Sequence, residues 1–482
     1  MAFNASRYPR RPGTLRQLAA IAVAALGLVT HAAATTFTVN SVVDVPDSNP
    51  GNGVCETASG NGACTLRAAV QEANANDGAD VISLQPNTTY MLSRVGSDET
   101  ALNGDLDISD SVTINGAGPA TVVDGNGGVT GDRVFDIMAC IDNAGFAFDC
   151  TIGVVVATLS GLTIQHGTAI NSGGGIRNIG ELTIDQCIIA GNSLTGATTS
   201  GGGINSIYSL VLTNSIVANN TTAGTGNSLG AGLYSAGELT VSGTAFSGNH
   251  AAGHGGGFGM ATTHDAVVRD STFNGNSAAL GGGIYNDGSA LMLTNSTVSG
   301  NSSDGAGGGI YAEAGTTELY NVTVTKNRAN ADGLNGGAGG GVQNLAGSTF
   351  LLSGSIVAGN DYLFVESRGD PPVLKADDCA GTFQAQVANL LETIAAHCTI
   401  NGAHVVAPAK LGPLQDNGGG TPTHALLAGS PALDAGGTCV DDVGAPLSAD
   451  QRGVARPQGV GCDIDAFELA DLVFADDFEP ST

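Results

Sequence analysis

Glu181, Glu238 and Asp265 each stand eleven residues before one of seven regularly spaced asparagines, and Glu238 and Asp265 belong to consecutive repeats. Two carboxyl groups at a set separation are the machinery of glycoside hydrolysis, one as acid and the other as base or nucleophile. His264 precedes Asp265 and Arg269 lies four residues beyond it, so Glu238, Asp265, His264 and Arg269 are the candidate catalytic set. A solvated acidic edge explains the same residues without chemistry, and no catalytic centre is the expectation. A lyase would need cations gathered around an acidic sugar. Besides histidine, the basic residues from 173 to 360 are Arg177, Arg269, Lys326 and Arg328, scattered over different positions of the repeat.

Two further groups invite a ligand reading. His250, His254 and His264 fall within one repeat, but their spacing matches no zinc pattern, and no metal centre is expected from them. Asp44, Asp47, Asn49 and Asn52 form an oxygen-rich loop of the kind that holds Ca²⁺, although a plain surface turn beside the Cys55 to Cys64 loop is the preferred reading. A third candidate is aromatic. One repeat position reads Arg177, Asn205, Tyr234, Gly259, Tyr285, Tyr311 and Gln343. The apolar residue before it points inward, so strand alternation sends this one outward. Tyr234, Tyr285 and Tyr311 are therefore the candidate ligand-binding residues, an exposed strip able to lie against sugar rings, with mutual stacking as the plainer alternative.

These residues are positioned by a sevenfold repeat. A glycine run ending in an apolar residue recurs at 173–176, 201–204, 230–233, 255–258, 281–284, 307–310 and 339–342. About sixteen residues later comes Asn192, Asn220, Asn249, Asn276, Asn301, Asn327 or Asn360, at intervals of 28, 29, 27, 25, 26 and 33 residues. A period in that range marks a solenoid. Within each unit apolar residues stand two apart, as in Leu210 and Leu212 or Leu239 and Val241, which is the pattern of a strand with one buried face. The 74 glycines make the remaining segments turns rather than helices. A unit this short cannot bury its apolar side alone, so equivalent strands must stack in parallel. The prediction is an all-β, right-handed parallel β-helix over 85–405, with clean repeats at 173–360. Weaker alternation at 106–108, 112–114, 121–123 and 159–164 extends it to ten to twelve coils, a rod of roughly 50 Å.

Composition bounds the partners. The chain carries 44 acidic and 16 basic residues, a net charge of −28. Residues 1–34 read as a secretory signal, with Arg7, Arg10, Arg11 and Arg16 ahead of the apolar run 18–29 and the small residues Ala32, Ala33 and Ala34. Its removal takes four positive charges with it and leaves −32. Nucleic acid is excluded as a partner, and an anionic polysaccharide would need divalent cations as bridges. No later stretch is long and apolar enough for a transmembrane helix, and a monomer is expected. Eight of the nine cysteines stand as neighbours around short loops, Cys55 with Cys64, Cys140 with Cys150, Cys379 with Cys398 and Cys439 with Cys462. They are disulfide candidates in an exported chain, and Cys187, at a small-residue position of the repeat, is expected to be a buried thiol.

The ends carry resemblances. Residues 64–74, Cys-Thr-Leu-Arg-Ala-Ala-Val-Gln-Glu-Ala-Asn, form an amphipathic helix with Thr65 as cap and Gly78 as stop, suited to plugging the first coil. The segment resembles the Cys-Ser-Leu-Arg-Glu-Ala (CSLREA) module of bacterial surface proteins, with Thr65 and Ala68 in place of the serine and glutamate. Residues 411–419, 421–427, 429–436, 450–453 and 462–468, from Leu-Gly-Pro-Leu-Gln-Asp-Asn-Gly-Gly to Cys-Asp-Ile-Asp-Ala-Phe-Glu, closely resemble the choice-of-anchor Q domain that follows β-helices in exported proteins. The tetrads Phe246 to Asn249 and Phe273 to Asn276 are similar to the repeats of polymorphic outer-membrane proteins. The resulting layout is signal peptide 1–34, CSLREA-like cap 35–84, pectate-lyase-like solenoid 85–405, choice-of-anchor Q-like capping module 406–469 and acidic tail 470–482. What the resemblances imply is a secreted or cell-surface protein, in a Gram-negative cell associated with the outer membrane. The expected role is non-catalytic: adhesion, contact with extracellular glycan, or cell-envelope structure. A polysaccharide hydrolase or lyase acting on the β-helix face is the alternative.

Overall fold

The structure is a computed structural model that describes residues 34–138, 154–226, 228–261, 263–334, 336–366, 371–441 and 444–470. The candidate pair Cys140 and Cys150, the signal segment up to residue 33 and the tail from 471 lie outside the described residues.

The apolar pairs meet as the repeat requires. Leu182 stands opposite Leu210, Leu210 opposite Leu239, Leu239 opposite Ala266 and Ala266 opposite Leu291, all in parallel register. Each of these residues is at most 3% exposed. Three long sheets of stacked strands enclose one apolar core running the length of the rod. One of them takes a single strand from every coil, from Thr89–Met91 to Val405–Val406, and its 12 strands count twelve coils. The chain is an all-β, right-handed parallel β-helix, the hand that twisted strands impose on parallel crossovers.

Both halves of the repeat signature serve one corner. Asn276 accepts from the backbone and side-chain amides of Asn249 at 3.0 and 2.9 Å, and donates to Phe246 O and to Asn301 Oδ1. The same pattern links Asn192 through Asn360, all essentially buried, and ends on Asp378, whose carboxylate accepts from Asn360. The glycine run packs against this ladder. A Cβ on Gly283 would come within 2.7 Å of Gly309 O and 3.1 Å of the Asn301 amide, so no larger residue fits beside the asparagine. Gly281, at φ +60°, begins the run with the left-handed turn that sets the coil's direction. Ser215, Thr244, Ser271, Ser296 and Ser355 form a second ladder in which each hydroxyl accepts from the amide one coil back. Cys187 occupies that column, buried and unbridged, and burial pushes its thiol up to about 11.

At the N-terminal end the helix Leu66–Ala75 starts on Thr65, whose hydroxyl accepts from Ala68 N, and ends on Asn76 rather than Gly78. Arg67, 1% exposed, pairs with Asp44 at 2.6 Å and donates to Ala101, Gly104 and Asp105 carbonyls. Three expected disulfides are formed, Cys55–Cys64, Cys379–Cys398 and Cys439–Cys462. The C-terminal segment corrects one expectation, because it lies along the side of the last coils. Its hairpin, Leu411–Gln415 with Thr423–Leu426, meets the outer face of the 12-stranded sheet. Thr272 donates to Pro422 O, Thr297 to Gln451, Asn295 to Ala449 O, and Ala466 N donates to Thr323. Ile356, Ala358 and Leu390 pack against Leu426, Ile464 and Phe467. Small and hydroxyl-bearing outer positions make that face dockable, while the final strand Val405–Val406 stays exposed. No helix among the described residues is long and apolar enough to cross a membrane.

Candidate functional site

The sequence-derived catalytic set is divided by the coil. Glu238 and Asp265 are neighbours, since Leu239 stands opposite Ala266 and Leu239 N donates to Asp265 O at 3.4 Å. Both carboxylates are exposed, and Asp265 accepts from Ala290 N. His264, also exposed, lies against Ala236 O. Arg269 is four residues further along an extended strand, about 13 Å away. There it lines a cavity of about 430 Å³ under the C-terminal segment with Asp270, Asn295, Asp450 and Arg452. The arginine therefore cannot neutralise a sugar held between Glu238 and Asp265.

The histidines are likewise spread out: His250 bonds to Ser277 at the surface, whereas His254 sits on the adjacent turn against Tyr285. The oxygen-rich loop spends its carboxylates on protein donors. Asp44 takes Arg67 and the amides of Ser93 and Arg94, and Asp47 takes those of Asn49 and Glu56.

The tyrosine strip is stacked as expected but covered. Tyr285 and Tyr311 are 4% and 8% exposed, with ring centroids 5.7 Å apart and planes 11° from parallel. The His254 ring lies 4.8 Å from Tyr285, and the Tyr285 hydroxyl donates to Glu313 at 2.5 Å. Burial, then the Glu313 carboxylate, raises the Tyr285 phenol, and burial lowers the His254 imidazole. The cause of the covering is local. The left-handed glycine turn folds the residue before each run, Leu229, His254, Leu280 or Ala306, over the residue after it. Tyr234 is half-buried in the same satellite cluster, so the strip leaves little open ring surface for a sugar.

Following this column toward the N-terminus reveals a different chemistry. Arg177 stands opposite Asp136, and Asp136 opposite Asp107, on the strands Ile176–Asn178, Phe135–Ile137 and Leu106–Ile108. Arg177 holds Asp136 through Nε and an amino group, both at 2.9 Å. Arg133 reaches Asp136 at 2.9 Å and Asp105 at 3.1 Å. Asp107 accepts from Ala101 N at 2.7 Å. Asp105, Asp107 and Asp136 are each 1% exposed and Asp132 is 6% exposed. Asp132 Oδ1 accepts from Arg133 N at 2.9 Å, while its buried Oδ2, beside the Gly104 backbone, has no hydrogen bond. Glu99, on the loop pinned by Arg67, brings a carboxylate oxygen to the group. Asp98, Glu99, Asp105, Asp132, Arg133, Asp136 and Arg177 line a cavity of about 470 Å³.

Burial first, then the charges of Asp107 and Asp132, drives the Asp105 carboxyl far above the ordinary range. Burial and the charge of Asp136 do the same to Asp107, against the Ala101 hydrogen bond. Two guanidinium groups face five carboxyls here, and an excess of buried acid must hold protons or attract cations. The residues spread over three coils, so no single repeat displays them; extending the Arg177 position backward by strand register is the signal that finds Asp136 and Asp107.

One comparison with known proteins agrees with the architecture. A family model described as right handed beta helix region matches residues 150–329, the stretch holding most of the clean coils. A search of solved structures finds pectate lyase Pel9A, with 13% identity and a TM-score of 0.35 over 90% of this chain and 97% of that one. A search of curated proteins finds no match. What the chain is similar to, through its central coils, is the right-handed β-helix region of that family model.

Proposed function

We propose that this protein is a non-catalytic, exported β-helix that presents its long lateral faces to extracellular glycan or other components of the cell envelope. The observation that carries the reading is the separation of the best acid pair from its cation: Glu238 and Asp265 stand on open surface, with Arg269 at the far end of the strand. A hydrolase or lyase needs those groups to converge on one sugar. Disulfides at both ends of the rod favour an oxidising, extracellular setting, in keeping with residues 1–34 as a signal. The CSLREA-like and choice-of-anchor Q-like segments support a cell-surface role in a Gram-negative envelope. The test is a glycan array run in parallel with reducing-sugar and unsaturated-uronate assays on the purified protein. Binding without turnover is expected. Turnover abolished by Glu238→Gln would overturn the proposal in favour of a carbohydrate-active enzyme.

A further inference from the structure

We propose that Glu99, Asp107 and Asp136 form a Ca²⁺ site on the lateral face of the N-terminal coils, distinct from the oxygen-rich loop at 44–52 and independent of any glycan contact. Among the described residues these three are the group whose ligand atoms all lie within 4.8 Å of one another. Ca²⁺ binds oxygen at 2.3–2.6 Å, so oxygens on opposite sides of one ion are separated by up to about 5 Å. The spacing therefore suits one shared ion. The donors are carboxylate oxygens alone, which selects a hard cation over zinc or copper. The ligands come from two strands and a loop, and a few carboxylates completed by water suit the tolerant coordination of Ca²⁺ better than the strict octahedron of Mg²⁺.

An independent observation points the same way. Asp132 is 6% exposed, lines the cavity that Asp136 and Glu99 line, and has an oxygen with no hydrogen bond. A buried carboxylate oxygen left without a donor is costly. A cation, or a water held by one, would satisfy it. Charge counting agrees even when Asp98, which caps its own loop through Thr100, Leu102 and Asn103, is left out. Glu99, Asp105, Asp107, Asp132 and Asp136 oppose Arg133 and Arg177, an excess of three negative charges when all are ionised. One divalent ion removes most of that excess. The arginines do not fill the need: Arg177 is held on Asp136, and Arg133 holds Asp136 and Asp105 through one amino group while its Nε is left without an acceptor and none of its contacts reaches Asp132 Oδ2. Asp107 commits only one oxygen to a protein donor, Ala101 N. The Glu99 loop is itself clamped by Arg67 at Ala101, Gly104 and Asp105, so an ion here would tie the N-terminal helix to the first coils.

The experiment is equilibrium dialysis of the purified protein against radioactive Ca²⁺, with thermal melts followed by circular dichroism in Ca²⁺, in Mg²⁺ and in chelator. The expected result is one saturable Ca²⁺ per chain, with Kd at or below the ~1 mM typical of extracellular modules. Melting should rise with Ca²⁺ and much less with Mg²⁺. Glu99→Gln should weaken binding about tenfold or more while leaving the dichroism unchanged, since its side chain is exposed. Asp107→Asn should do the same, and Glu238→Gln and Asp265→Asn should bind as the parent does. Absence of saturable binding at several times ~1 mM Ca²⁺ would overturn the proposal, and so would Glu99→Gln binding with parental affinity and stoichiometry. Because Glu99→Gln leaves the buried carboxyls intact, a failure of Asp107→Asn to fold does not protect the idea.

Discussion

Asp107, Asp136 and Arg177 occupy the same position of the coil as Tyr285 and Tyr311. In both regions the side chains leave the central core, and in both the Asp or Tyr groups end up less than a tenth exposed. They differ in how that burial is made tolerable. The aromatic half closes largely on itself: ring stacks on ring, the Tyr285 hydroxyl finds Glu313, and the buried atom left without a hydrogen bond, His254 Nδ1, belongs to a ring that burial keeps neutral. The acidic half does not close, because two guanidinium groups face five carboxyls and an Asp132 oxygen is left without a partner. Identical backbone geometry thus sets where a side chain sits, and side-chain chemistry decides whether the place is finished or waits for a ligand. A neutral remainder is tolerated as architecture, and an unbalanced charge marks a candidate site.

The contrast breaks most visibly at Arg133. Its replacement by alanine strips a cation from buried Asp105 and Asp136, and removing one partner of a buried pair costs about 3–5 kcal/mol. Urea unfolding followed by circular dichroism should register that loss. A cost below ~1 kcal/mol, that of an ordinary exposed pair, would mean the acidic half is as self-sufficient as the aromatic one.

His424 tests a third way of covering the rod's side. Burial lowers its imidazole to about 4, and its nitrogens meet Ser299 Oγ at 2.8 Å and Gly412 O at 2.7 Å. The unfolded chain, with an ordinary imidazole near 6.5, binds the extra proton first as pH falls. The stability from neutral His424 is therefore complete above about pH 6.5 and is lost as pH drops through that value toward 4. The expected loss is about 3 kcal/mol. Unfolding at neutral pH and at mildly acidic pH measures it, and His424→Gln should flatten that part of the profile.

A smaller effect is expected at Tyr285→Phe, which keeps the stack and removes the bond to Glu313, for about 1 kcal/mol. A much larger cost would show that the hydroxyl, and not the ring, holds the aromatic half together. Smallest of all is Glu238→Gln, on open surface, which should stay within about 0.5 kcal/mol of the parent. Its value lies in the comparison with Glu99→Gln: one exposed acid standing beside open surface, the other beside a charged cavity.

The fold was legible because the stacking that builds it repeats the same demand in every coil. Asn276 must bond upward and downward, Gly283 must leave room for Asn301, and both demands recur with the period of the chain. The three described disulfides and the small-residue place of Cys187 were legible for similar local reasons. The covering of Tyr285 was not. It depends on His254, Leu280 and Ala306, residues on the far side of a glycine turn, whose reach over the column is a matter of three-dimensional path. The acidic group escaped notice because Glu99, Asp107, Asp132, Asp136 and Arg177 span three coils of irregular length, so no period aligns them. The C-terminal segment read as a cap because an open end needs covering; its actual seat was chosen by Thr272, Thr297, Ser299 and Thr323, hydroxyls that also pass for ordinary strand residues.

Sequence by itself determined the coil: alternation and the glycine and asparagine spacings are interactions between equivalent residues, and equivalence is visible in one dimension. Tertiary structure decided which outward positions are covered, which acids share a cavity and where the C-terminal segment lies. Those outcomes depend on inequivalent residues meeting across turns and coils, where burial, charge and the hydrogen bonds left unmade are set by position in space.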